Sequence, residues 1–200
     1  MGLSVLYQIM LLLTSLSTTP LSKQILLRPN ETASGPDCSI DTLPSSVRAK
    51  LKTDYGSWKI QDVFSLSPSA RRSWEYMKIG KPSECPGISA GTFEDGSEAY
   101  ALLLVPRARA DRAYRVLVFS NRPGEPLYRL TTIETSDKGG AQNLYIRAVR
   151  MSDIFDHSSQ QKLGITTNEG VLIVESGKSE LFADVFFWTK DGYQHEEMEN

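Results

Sequence analysis

The chain has 200 residues, with 22 Lys and Arg against 24 Asp and Glu and 40% hydrophobic residues. A net charge of -2 excludes partners held by bulk charge alone, nucleic acid and anionic membrane surfaces among them. The apolar content is enough for a folded core and excludes a wholly disordered chain.

The first 22 residues form the first element. Met1 to Leu13 is almost wholly apolar, and Thr14, Ser15, Ser17, Thr18 and Thr19 follow at once. That order predicts a secretory signal peptide, with cleavage between Ser17 and Lys23. A buried helix would need a polar face that the run lacks. A membrane anchor would need roughly 20 apolar residues. No cysteine follows the run, so a lipoprotein anchor is excluded, and Leu6 stands where myristoylation wants Ser or Thr. The mature chain is expected to have no stable membrane span and to be secreted or periplasmic.

Residues 23–37 read as a flexible linker holding Pro29, Gly35 and Pro36. Asn30-Glu31-Thr32 fits a glycosylation acceptor. Cys38 and Cys85 are the two cysteines. In an oxidising compartment an even pair predicts one disulfide. They lack the paired spacing of a zinc site and the CxxC spacing of redox catalysts.

A single domain is expected over 38–200. Asp41 or Thr42 can cap a helix with Pro44 near its first turn and Val47 and Leu51 on one face. A strand is expected over Trp58 to Phe64, then a short helix opened by Ser67-Pro68 and bearing Trp74 and Met77. Asp95-Gly96 between Ile88–Glu94 and Ala99–Val105 predicts a hairpin. Tyr100 to Val105 is continuously apolar, which predicts a central strand buried on both faces. Further strands are expected at Tyr114–Ser120, Leu127–Glu134, Asn143–Val149, Gly170–Glu175, Leu181–Trp188 and Tyr193–Glu196. Strands that follow helices rather than alternating with them predict an α+β fold, an antiparallel sheet of about six to eight strands with two N-terminal helices packed on it.

Gly87-Ile88-Ser89-Ala90-Gly91 matches GxSxG, the nucleophile elbow of α/β-hydrolases. The elbow needs a strand before it and a helix after it; here a Pro-rich loop precedes and a hairpin follows. Asp153 and His157 are candidate partners for Ser89, and His195 is a second candidate base. Glu94, Asp95 and Glu98 put carboxylates around a turn, as calcium loops do, but adjacent Glu94 and Asp95 should point apart. Asp153, Asp156 and His157, in an expected loop, are a second metal candidate. Arg107, Arg109, Arg112 and Arg115 cluster around a loop as a candidate anion or partner surface. In Phe186-Phe187-Trp188 successive side chains must face opposite sides of a strand, so Phe186 and Trp188 are candidate binding residues.

The segment Cys85-Pro86-Gly87-Ile88 through Phe93, Asp95-Gly96 and Tyr100 to Leu104 resembles a segment of uncharacterised secreted bacterial proteins. Leu43-Pro44, Trp58-Lys59-Ile60 and Phe187-Trp188 through Tyr193 are similar to the same group. The hairpin is also similar to the calcium turn of FG-GAP repeats, most of whose acidic ligands this sequence lacks. The resemblance implies compartment and fold, and carries no activity with it.

With no assembled catalytic pattern, the expected function is a non-enzymatic extracytoplasmic protein-binding domain of inhibitor, immunity or accessory type, without a cofactor. The alternatives are a small secreted serine hydrolase using Ser89 and a structural surface protein.

Overall fold

In the computed structural model, the described residues are 38–77, 85–109, 113–125, 127–177 and 181–198. All fall in the larger of two compact units, Ser34–Asn200. The expected signal peptide, the linker with Asn30, and Arg112 lie outside the described residues.

Nine strands form two antiparallel sheets. The first holds β1 (Trp58–Ile60), β2 (Ile88–Glu94), β3 (Ser97–Pro106), β4 (Tyr114–Ser120) and β5 (Arg129–Ser136). The second holds β6 (Leu144–Arg150), β7 (Glu169–Ser176), β8 (Leu181–Thr189) and β9 (Gly192–Met198) in sequence order. The α+β antiparallel class therefore stands, but the single sheet divides in two. The break falls at the polar turn after β5, where a 3-10 turn, Ala141–Asn143, leads into β6.

Helix α1 (Ser45–Asp54) turns Val47 and Leu51 onto the outer face of the first sheet, against Leu102, Leu104, Leu117 and Phe119. Each fully buried aliphatic side chain there contributes ~1.5–3 kcal/mol, so Val47→Asp would detach the helix. Between the sheets, Ala99, Ala101, Leu103, Val116 and Val118 meet Leu144, Ile146, Val171, Ile173 and Phe186. Helix α2 (Pro68–Met77) covers the far face of the second sheet with Ala70 and Trp74, against Tyr145, Leu172, Val174, Val185 and Phe187. The order is helix, sheet, sheet, helix, so the two N-terminal helices lie on different sheets. That layering explains the unbroken apolar run of β3, which alternates its side chains between two covered faces.

The edge of β3 opposite β4 is shared. Strand β2 pairs with its first part, from Ser97 to Leu102, and β1 with its last, from Leu104 to Pro106. The expected strand from Trp58 stops at Ile60. The Asp62 side chain accepts the Ser65 backbone N–H at 2.7 Å and starts a 3-10 turn, Val63–Ser65, that leaves Phe64 exposed. The stretch around His157 is not the expected loop. It forms α3 (Met151–Ile154) and α4 (His157–Leu163); Asp156 caps α4, and Gly164 closes it at φ 68°. The expected disulfide between Cys38 and Cys85 is present, with Cα atoms 5.2 Å apart. It ties the chain just before α1 to the start of β2.

Candidate functional site

The GxSxG glycines answer to packing. A side chain at Gly87 would lie 2.4 Å from the Gln61 carbonyl oxygen and 2.8 Å from its nitrogen. Here the end of β1 and the start of β2 converge on one residue of β3. The Gln61 N–H donates to the Leu103 carbonyl, and the Leu103 N–H donates to that of Gly87, both at 2.9 Å. At Gly91 a side chain would strike the Phe93 ring at 2.5 Å, inside the β2 bulge. Both glycines thus serve close approach within a sheet, whereas a nucleophile elbow needs a strand-to-helix turn.

Ser89 and Asp153 line one cavity of about 530 Å³ between the β2 and β6 edges, together with Arg147 and Arg150. Neither His157 nor His195 lines it. His157 is exposed at the first position of α4, and His195 stacks on Phe186 with centroids 5.3 Å apart. The structure thus brings Ser89 and Asp153 to one cavity and leaves both candidate bases, His157 and His195, elsewhere. The cavity is bounded at one end by the Ile146 N–H donating to the Pro86 carbonyl at 2.9 Å. At the other end Glu169 accepts both the backbone N–H and the hydroxyl of Thr92, at 2.8 and 2.9 Å.

The acidic hairpin is engaged by donors of the protein itself. Asp95 and Gly96 take φ of 47° and 71°, the turn that Asp-Gly favours. Glu94 is fully buried; it accepts Ser120 Oγ at 2.5 Å and Thr131 Oγ1 at 3.2 Å, with an Arg122 nitrogen 3.8 Å away. Asp95 pairs with Arg122 at 3.3 Å and accepts the Trp188 indole N–H at 3.0 Å. Glu98 accepts the Tyr100 hydroxyl at 2.9 Å; burial first and Glu98 second push that phenol up to about 12. Tyr193 is enclosed beside Glu94, and burial followed by that carboxylate raises its phenol as well. Glu94 and Asp95 share Arg122 and otherwise take different donors, while Glu98 takes Tyr100. Among the described residues no three His, Cys, Asp or Glu side chains gather as a metal site. Asp156 is committed to its helix cap, where the Ser159 backbone N–H holds its carboxyl below the usual range.

Of the aromatic candidates, Phe186 is enclosed between the sheets and Phe187 beneath α2. Trp188 is partly exposed but spent on Asp95, with Arg122 6.0 Å over its ring. Large apolar side chains are exposed elsewhere, at Phe64, Tyr76, Leu127 and Phe182. Exposed apolar side chains of this kind are too common on protein surfaces to single out from sequence.

The basic loop sits differently. Arg107 and Arg109 are exposed just after β3. Arg107 lines a cavity of about 490 Å³ with Lys52 and Tyr55 from the end of α1 and Trp58, Lys59 and Asp62 from around β1. The Arg107 backbone N–H donates to the Ser57 carbonyl at 2.9 Å and its Nε to that of Gly56 at 3.1 Å. Lys59 Nζ lies 2.9 Å from Asp62 Oδ2 and donates to Ser65 Oγ at 2.7 Å. Burial alone would raise the Asp62 carboxyl; hydrogen bonds from Lys59 and Ser65 outweigh it and hold the group below the usual range. Arg115 from β4 lies over the Trp58 ring, 5.0 Å from its centroid. Lys52, Tyr55 and Trp58 were not singled out as site residues in the sequence. The connection runs through the β1–β3 pairing, which places Trp58 opposite Pro106.

No protein-family model, no curated protein and no solved structure matches this chain.

Proposed function

We propose that this chain is a secreted or periplasmic, non-enzymatic binding domain that docks a protein partner at the pocket between α1, β1 and Arg107. The observation that carries the reading is that pocket. It brings an arginine, a tryptophan and a tyrosine to one concave surface, the residue types that dominate binding energy at interfaces. The disulfide beside it gives α1 a fixed anchor, which reduces the ordering cost of association. A disulfide is at home in an oxidising compartment, and among the described residues no helix is long and apolar enough to cross a membrane.

The test is affinity capture from envelope and culture fractions, read by native mass spectrometry, with Arg107→Glu beside the wild type. The expected result is a stoichiometric complex formed by the wild type and lost in the variant. A complex indifferent to Arg107→Glu would move the interface elsewhere. A lone monomer, or a ladder of homo-oligomers as a structural surface protein would give, would contradict the reading.

A further inference from the structure

Resting on that reading, we infer that the pocket receives an acidic segment of the partner, a carboxylate with an apolar or aromatic neighbour. The charges around it divide into spent and free. Lys59 and Asp62 neutralise each other, and Ser65 Oγ accepts a further hydrogen bond from Lys59. Lys50 is paired with Asp54 on α1. Lys52, exposed on the same helix and lining the pocket, is in none of the ion pairs among the described residues.

Arg107 is prepared for a carboxylate. Its Nε is held by the Gly56 carbonyl, and its backbone by Ser57. The guanidinium is thereby anchored at one edge with its two terminal nitrogens left to donate, the geometry that suits bidentate carboxylate recognition. Arg115 adds a third cation over the Trp58 ring. Three uncompensated cations thus gather at one end of a chain whose net charge is -2. Such a local field steers an acidic partner and turns away a basic one.

The pocket also has an apolar side. Tyr55 and Trp58, partly exposed, form this wall, backed by the buried Leu51, Ile60 and Leu104. A free small anion would use the cations alone, whereas an acidic peptide with an apolar neighbour would use both.

The experiment is fluorescence anisotropy on the full chain as secreted. The probes are a labelled peptide of alternating Glu and Tyr, its Lys-for-Glu counterpart, and a labelled sulfated oligosaccharide. The Glu–Tyr peptide is expected to bind and the Lys–Tyr peptide to fail. The double variant Lys52→Glu with Arg107→Glu should weaken the Glu–Tyr peptide by about ten-fold or more, the loss of two charge-assisted contacts. Arg72→Glu with Lys162→Glu, which makes the same charge change away from the pocket, should leave binding within about two-fold. Lys52 and Arg107 are both exposed, and the melting temperature of each double variant is read alongside, so that loss of binding in a folded protein is separated from unfolding. Equal loss in both double variants, or no binding of the Glu–Tyr peptide, overturns the inference. So does binding of the oligosaccharide in place of the peptide. An Arg107-dependent partner that is captured while the acidic peptide is refused overturns the acidic assignment alone; absence of both overturns the binding reading with it.

Discussion

The indole N–H of Trp188, on β8 of the second sheet, donates to Asp95 Oδ1 at the tip of the β2–β3 hairpin of the first, at 3.0 Å. Arg122 completes the clasp, 3.3 Å from Asp95 and 3.8 Å from the buried Glu94. The hairpin acids, which read in the sequence as possible calcium ligands, here join the two sheets through protein donors. Removing the cation leaves a fully buried carboxylate with two hydroxyl donors and no counter-charge. Arg122→Ala should therefore cost about 3 kcal/mol in urea unfolding, and Glu94→Gln in the same background should recover part of it.

Gly87 and Ser89 separate the packing role of GxSxG from a chemical one. Gly87→Ala forces a methyl against the Gln61 backbone and should destabilise by about 3 kcal/mol, as overpacking against rigid backbone does. Ser89→Ala should change unfolding free energy by less than about 0.5 kcal/mol, because the site is partly open. Equal stability of Gly87→Ala and wild type would refute the close approach at β1 and β2.

The layering was half legible. Tyr100 to Val105 announced a strand buried on both faces, and β3 is one. Asp95-Gly96 announced its turn. The division into two sheets was not legible, because β4, β7 and β8 are also apolar on both faces and a buried strand carries no mark of which sheet it joins. The α4 helix was legible in principle, through Asp156 before its start and Gly164 after its end. Its polar composition, His157-Ser158-Ser159-Gln160-Gln161, hid it as a loop. Of the site, Arg107 was visible as part of a basic cluster. Its neighbours Lys52, Tyr55 and Trp58 come from segments some 50 residues earlier in the chain, brought there by the pairing of Trp58 with Pro106. Long-range pairing of this kind leaves no local pattern.

The disulfide closes a loop with a sequence separation of 47. Replacing both Cys38 and Cys85 by alanine should lower stability by about 4 kcal/mol on the chain-entropy account. Guanidinium unfolding of the reduced and oxidised protein should give the same difference. No difference would show that α1 is held without it.

Asp184 on β8 stands directly opposite Glu197 on β9. Burial first, and Glu197 second, raise its carboxyl, with His195 partly offsetting them. A carboxyl raised in the folded state contributes stability below the ordinary carboxylate range and loses it as pH rises through the raised value. Asp184→Asn should therefore raise the melting temperature at neutral pH, and the gain should vanish on acidification to about pH 3, where carboxyls protonate in both states. A gain that persists in acid would point to packing instead of charge.

Trp58 reports directly on occupancy of the Arg107 pocket. The chain has three tryptophans, and only Trp58 lines the Arg107 pocket; Trp74 on α2 is buried against the second sheet, and Trp188 is hydrogen-bonded to Asp95. The decisive measurement is a ¹H–¹⁵N spectrum of the indole region as the captured partner is added. The Trp58 indole signal should shift while those of Trp74 and Trp188 hold still. A shift confined to Trp188, or no indole shift in a formed complex, would contradict docking at this pocket.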